Sequence, residues 1–143
     1  MLSNTSKYAI RAVIYLALNA GEDKKIGIKQ ISRELKIPTP FLGKILQTLA
    51  KHKLLSSTKG PHGGFGLGKP AEKISLIEIV DIIDGKDLFT KCMIRLEECN
   101  EKEPCSAHKK YAKIRESLHE LFKKEKISDF VDEIVTGKNK VNL

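Results

Sequence analysis

Two prolines one residue apart constrain this chain more than any other feature. Pro38 disfavours helix at Ile37, and Thr39-Pro40 is a helix start, with Thr39 as N-cap and Pro40 at the first helical position. A helix over Ile28–Leu35 must therefore stop and a new one begin at a different angle. In the first of the pair, Ile28, Ile31 and Leu35 point inward. In the second, Pro40 to His52, Phe41, Leu42, Ile45, Leu46 and Leu49 form the buried stripe and Gly43, Lys44, Gln47 and Thr48 face solvent. Two short helices on a tight turn, the second with a small and polar outward face, form a helix-turn-helix pattern.

The next segment strengthens it. Leu54–Thr58 reads as a strand, Lys59–Gly64 as a turn and Phe65–Leu67 as the returning strand. Five of the ten glycines lie between Gly60 and Gly68, where they permit positive φ and close backbone approach. A basic hairpin after a helix-turn-helix is a wing. A nucleotide phosphate loop is the competing reading, but the run lacks a Gly-Lys-Ser/Thr ending and no helix follows it directly. His62 at the tip is expected to be an exposed turn residue.

Charge points the same way. Of a net charge of +8, residues 1–71 carry 12 Lys/Arg and 3 Asp/Glu, whereas residues 72–143 carry 14 and 15. From Leu35 to Ala71 there are six lysines and no acid. Such a segment meets a polyanion, most often nucleic acid, or is a solvated lysine face. The candidate contacts to double-stranded DNA are Lys29, Thr39, Gly43, Lys44, Gln47, Thr48 and Lys51 on the helices, and Lys59, Gly60, Pro61, His62, Gly63 and Gly64 on the wing. Pro40 and Gly43 bring no side-chain donor, so base readout is expected to be modest.

Two helices flank this unit. Thr5 or Ser6 caps the first, whose apolar positions Tyr8, Ala9, Ala12, Val13, Leu16, Ala17 and Ala20 recur at helical spacing until Gly21. Ser75 and Glu78 form a capping box for a helix over Leu76–Ile83, apolar on most of its circumference and so buried on more than one side. Asp84-Gly85 closes it. Asp81 and Asp84 read as a solvated helix end.

All three cysteines, Cys92, Cys99 and Cys105, lie in one stretch that ends at His108, with the spacing Cys-x6-Cys-x5-Cys-x2-His. An odd cysteine count argues against a disulfide framework and for ligating or reactive thiols in a reducing, cytoplasmic setting. The first residues lack the apolar core of a signal peptide, and no apolar run approaches the roughly 18 residues of a membrane span. Ser106 caps a long helix to Lys124 with Ala107, Tyr111, Ile114, Leu118 and Leu121 at alternating spacings of 4 and 3. That 3.5-residue period is a coiled-coil seam, favoured as a homodimer contact (Tyr111, Ile114, Leu118, Leu121) over packing on its own domain. Ser128 caps a last short helix, Asp129–Val135, ended by Gly137.

The chain resembles the Rrf-two family of bacterial winged-helix regulators. The resemblance covers residues 2 to about 125. It rests on Ser6-Lys7-Tyr8-Ala9, on Ile31-Ser32 and Leu42, on the wing run from Ser57 through Gly60-Pro61-His62-Gly63-Gly64 to Leu67, on Leu76–Ile79, and on the cysteine stretch. The wing run is its most specific part. The resemblance implies a dimeric DNA-binding transcription regulator, a repressor or an activator, and no enzyme. It implies three domains or segments: a winged helix-turn-helix at residues 1–85, a sensor loop at 86–106, and a dimerisation helix with tail at 107–143. It also implies an iron–sulfur cluster on Cys92, Cys99 and Cys105, responsive to cluster status, redox or nitric oxide. The six-residue first gap departs from the five common among cluster-binding members. Members of the IscR-like group take a histidine that follows the third cysteine after two intervening residues as fourth ligand, as His108 stands. The NsrR-like group uses an acid near the start of the partner's first helix, where this chain has Lys7 and no acid before Glu22. His108 and a [2Fe–2S] cluster are thus favoured over a [4Fe–4S] form.

The same four donors suit tetrahedral zinc, although gaps of six and five are long for a structural zinc site. Redox-active thiols without metal are the other alternative. In a different class, a small iron–sulfur or thiol redox protein would leave the basic half unexplained. The expected fold is mainly α: a winged helix-turn-helix with a small β-hairpin wing and a long C-terminal dimerisation helix. Ordering of residues 90–108 by the cluster is expected to reset the spacing of two recognition helices against major grooves roughly 34 Å apart.

Overall fold

In a computed structural model of the protein, residues 2–21, 23–98, 100–138 and 143 are described. The elements are α1 (Asn4–Asn19), α2 (Ile28–Leu35), α3 (Thr39–Lys51), β1 (Leu55–Thr58), β2 (Gly64–Leu67), α4 (Leu76–Ile83), α5 (Asp87–Thr90), α6 (His108–Lys124) and α7 (Ile127–Thr136). A single 3₁₀ turn, Ala71–Lys73, precedes α4. This is the mainly α, winged helix-turn-helix class expected.

The core is built around α1. Its stripe of Ala9, Ala12, Val13 and Leu16 is fully buried, and α2, α3, α4, α7 and β2 all pack on it. The alanines let neighbouring helices approach closely, and Leu42, Leu46 and Leu49 of α3 and Ile79 and Val80 of α4 share the same cluster. As its all-round apolar pattern implies, α4 lies between α1, α3 and α6. The two strands pair antiparallel with Leu55 opposite Leu67 and Ser57 opposite Phe65. Ile26 extends the hairpin by one residue: its amide donates to the Phe65 carbonyl at 2.9 Å and its carbonyl accepts from the Phe65 amide at 2.8 Å. The α6–α7 junction is tied back in the same manner, with Leu76 N–H donating to Glu125 and Ile127 N–H to Ile74.

Several boundaries differ from expectation by a few residues. Ser3, not Thr5 or Ser6, caps α1, accepting from the Ser6 amide at 3.0 Å. The helix stops at Asn19 with Ala20 as its C-cap, because Gly21 is taken up in a turn with Lys24. Pro38 is the N-cap of α3 and Thr39 its first residue, since the Thr39 hydroxyl donates to Ser32 Oγ at 3.0 Å instead of capping. The first strand begins at Leu55, one residue late, while Leu54 turns into the core. Ala107 rather than Ser106 precedes α6. Lys126 rather than Ser128 precedes α7, where the Asp129 carboxylate accepts from the Lys126 amide at 2.8 Å. The short helix α5 had no sequence signal. In α3, Phe41 is 48% exposed rather than buried, and its ring stands edge-on to Tyr8 with centroids 6.0 Å apart.

Asp84 is not a solvated helix end. Its Oδ1 accepts from the Ser3 hydroxyl at 2.6 Å, and its Oδ2 accepts from the Ser6 hydroxyl at 2.8 Å and the Ser3 amide at 3.3 Å. Burial by itself raises its pKa, but the bonds from Ser3 and Ser6 together outweigh that and hold the carboxyl below the ordinary aspartate value. A depressed folded-state pKa means stabilisation that is present above the unfolded-state value and is lost as pH falls through the folded one. Asp84→Asn should therefore flatten the acid limb of stability below about pH 4. Urea midpoints measured from neutral pH to pH 3 check this, and parallel curves for the two proteins would contradict it.

Candidate nucleic-acid interface and cysteine loop

The turn between α2 and α3 is a left-handed Lys36 (φ 55°) followed by buried Ile37. It sets the two helices against each other and leaves one face of α3 in solvent. Lys44, Gln47 and Lys51 are exposed there, as is Lys29 on α2. Thr48 is half-buried and donates to the Lys44 carbonyl at 2.7 Å. Gly43 does not face solvent as expected: a Cβ there would stand 3.0 Å from Ile28 Cδ1, so glycine lets α2 and α3 close up. Thr39 is exposed beside Ser32.

Lys59, Gly60, Pro61 and His62 are exposed at the wing tip, and Gly63 and Gly64 are half-buried at its return. Two glycines here are structurally required. Any Cβ on Gly63 would lie 2.2 Å from the Thr58 carbonyl oxygen. Gly64 has φ +152°, and a Cβ on it would meet the Ile26 carbonyl at 2.4 Å. Among the described residues no ion pair engages Lys29, Lys44, Lys51 or Lys59, so the lysines of this face keep their charge for an external anion. Two contributors were not anticipated. Lys25 hydrogen-bonds Ser56 at the wing root. Phe41 lines a groove of about 240 Å³ with Thr5, Lys44, Ile45, Thr48 and Ile83. The spacing of residues 41, 44 and 48 places Phe41 on the face of Lys44 and Thr48, a signal present in the sequence but masked by the size of the phenyl ring.

The cysteine stretch starts on an anchored stem. Arg115 of α6 donates to the carbonyls of Thr90 and Lys91 at 3.4 and 3.3 Å, and Lys91 pairs with Asp87 at 2.7 Å. Cys92 N–H donates to the Glu97 carbonyl, and Lys91 pairs with Glu98, closing a small turn that leaves Met93, Ile94 and Leu96 exposed. Cys92 is half-buried in an open groove of about 510 Å³, shared with Ser3, Asp84, Asp87, Lys91 and Tyr111. Cys105 is half-buried too. His108 is the first residue of α6, and its amide donates to the Cys105 carbonyl at 3.0 Å. The structure thus brings Cys105 and His108 together at a helix start and sets Cys92 at the mouth of its groove. Cys99 lies outside the described residues. Among the described residues no three His, Cys, Asp or Glu side chains are grouped to hold a metal ion. In donor chemistry, thiols and an imidazole on an open loop at the N-terminus of a helix suit an anionic iron–sulfur group.

The expected seam on α6 divides. Ile114 and Leu121 are 65% and 50% exposed, whereas Leu118 packs on the core. Tyr111 is half-buried beneath the Arg115 guanidinium, 5.6 Å from its ring centroid. The inward side of α6 is carried by Phe122 and His119, both against Phe89 of α5.

A family model described as Rrf2, iron-dependent transcriptional regulator, matches residues 2–133. An HTH-type transcriptional regulator of Aquifex aeolicus is 33% identical over 134 residues, covering 92% of each chain. The regulator IscR of Xenorhabdus nematophila is 29% identical over 140 residues, covering 92% of this chain and 84% of its own. Among solved structures, CymR, the global cysteine regulator of B. subtilis, superposes with a TM-score of 0.78 at 21% identity, over 92% of this chain and 96% of its own. IscR of T. potens superposes with a TM-score of 0.76 at 19% identity, over 99% and 93%. At these identities the structural likenesses speak to the fold. Among the described residues, no helix is long and apolar enough to cross a membrane.

The wing's attachment is directly testable. Gly64→Ala should clash with Ile26, break the Ile26–Phe65 pairing and cost about 1–3 kcal/mol. Urea unfolding and amide exchange at Ile26 and Phe65 measure it, and unchanged protection of both amides would refute the clash.

Proposed function

We propose, from the premise that this chain belongs to the Rrf2 family of transcriptional regulators, that it is a cytoplasmic, dimeric regulator that binds double-stranded DNA through α3 and the β1–β2 wing. The observation that carries this is the set of exposed lysines Lys29, Lys44, Lys51 and Lys59, the last three within the acid-free run from Leu35 to Ala71, none of them in an ion pair among the described residues. Lys44, Gln47 and Thr48 reach base edges or phosphates in the major groove. Lys51 and Lys29 neutralise flanking phosphates. Thr39 lies exposed at the helix start that approaches the DNA, Gly43 serves this face by letting α2 and α3 pack closely, and the wing residues Lys59–Gly64 grip the backbone or enter the minor groove. Dimerisation follows from the exposed pair Ile114 and Leu121, with Tyr111 and Leu118 beside them. A second copy of the same helix would bury both and set two recognition helices about one helical turn of DNA apart. On this reading residues 1–85 read DNA, 86–106 sense, and 107–143 pair and end the chain.

The sensing group is an iron–sulfur cluster held by Cys92, Cys99, Cys105 and His108. When bound, such a cluster supplies redox and nitric oxide reactivity, and an imidazole in place of a thiolate raises its potential. The histidine favours the [2Fe–2S] form. The chain's own residues position it: Arg115 and Asp87 fix the stem before Cys92, and α6 begins at His108. Zinc on the same donors is a second reading, and thiol oxidation without metal a third. A redox carrier is disfavoured because it has no use for the basic face.

Binding to duplex DNA should weaken steeply with salt, and Lys44→Ala and Lys59→Ala should each reduce the slope of log affinity against log salt by about one. Fluorescence anisotropy across a salt series measures this, and salt-independent binding would exclude the phosphate contacts. Cys92→Ala should abolish visible absorbance and stoichiometric iron in anaerobically purified protein. Unaltered iron and sulfide content would exclude Cys92 as a ligand.

A further inference from the structure

Two grooves take lining residues from the region where α1 begins and α4 ends. One holds Cys92 together with Ser3 and Asp84. The other holds Lys44 and Thr48 of α3 together with Thr5 and Ile83. Neighbouring residues on each helix thus divide between the two grooves: Ser3 and Thr5 on α1, Asp84 and Ile83 on α4. What joins the helices at this point is the Asp84 clamp.

The clamp makes the start of α1 depend on α4. The Ser3 hydroxyl donates its one proton to Asp84 and accepts the Ser6 amide with its oxygen. The cap of α1 is therefore completed in a side-chain orientation that Asp84 holds. The first turn of α1 has no acid of its own, and Asp84 supplies from another helix the negative charge that a helix N-terminus favours. From here the contacts run in both directions. Gly85, with φ +78°, turns the chain directly into α5 and the stem of Cys92. On the other side, Tyr8 stands edge-on to Phe41 at the start of α3.

We propose that Asp84 is a positioning residue that couples the state of the cysteine loop to the DNA-reading helix. This rests on the reading of residues 92–108 as a sensing loop and of α3 as the recognition helix. A change in the loop that turns α5 about Gly85 displaces the carboxylate relative to Ser3 and Ser6. The start of α1 then shifts against Phe41, and α3 moves with it. The two-state element that such coupling needs is, on this proposal, the α1 start, clamped or unclamped by Asp84.

The test compares two forms of the full-length protein: one reconstituted anaerobically with Fe²⁺ and sulfide, and one stripped with chelator. The DNA probe is a duplex selected from a random-sequence pool by the reconstituted wild type. The wild-type forms should differ in affinity by about fivefold or more. They should also differ in hydrogen exchange at the amides of residues 6–9. In Asp84→Asn the affinity ratio should fall close to one and the exchange difference vanish, with iron content and visible absorbance retained. Ser6→Ala, which removes one bond and keeps the carboxylate, should reduce the ratio in the same direction and guards against a folding defect in the first variant. A wild-type ratio preserved in both variants overturns the proposal alone. Loss of iron in Asp84→Asn also overturns it, since Asp84 would then serve ligation rather than coupling. Two wild-type forms with equal affinity, or no DNA binding at all, overturn the sensing or DNA reading and this proposal with it.

Discussion

The burial of α1 is the constraint on which the rest of the molecule depends. A helix contacted by α2, α3, α4, α7 and β2 must present small residues where its neighbours are crowded. Ala9 and Ala12 meet that need, while Val13 and Leu16 supply apolar area. Larger side chains at the alanines would push helices apart, because an interior at crystal-like density has no slack to absorb them. Everything with a functional reading is held relative to this helix. The recognition helix and the wing pack on it directly, and Asp84 at the end of α4 binds its start.

That last contact shows how polar groups set geometry that apolar packing leaves open. Apolar burial is non-directional, so α1 and α4 could slide along one another at little cost. Three hydrogen bonds from Ser3 and Ser6 to one carboxylate set the register of the two helices. The bridges Ile26–Phe65 and Ser75–Lys126 do the same for the wing and for the α6–α7 corner. Each joins segments far apart in sequence by backbone groups that would otherwise lie unpaired in partly buried positions.

Charge is distributed as the two halves of the chain require. Three acids of residues 72–143 form ion pairs: Glu78 with Lys69, Asp87 with Lys91, Glu103 with Arg95. The lysines of α2, α3 and the wing have no such partners among the described residues. Exposed apolar side chains are similarly concentrated, at Ile114 and Leu121 on α6 and at Met93, Ile94 and Leu96 in the cysteine loop.

The amino-acid sequence by itself determined the elements that rest on local physics. The proline pair at 38 and 40, the apolar periods of α1 through α4 and the glycine run of the wing each act within a few residues, so the winged helix-turn-helix and its basic face were legible in them. The long helix α6 was legible too, but of its 3.5-residue apolar row Leu118 packs on the core while Ile114 and Leu121 stand open. What only the tertiary structure decided is which partner a polar or ambivalent side chain takes. Thr39 turned to Ser32 and Phe41 to Tyr8. Asp84 turned to Ser3 and Ser6, so that the acid missing from the first 21 residues comes to the start of α1 from α4. Each choice joins residues that are distant in the chain or on different elements. Their relative free energies depend on burial and geometry that exist only once the helices have packed, which is why neither spacing nor propensity encodes them.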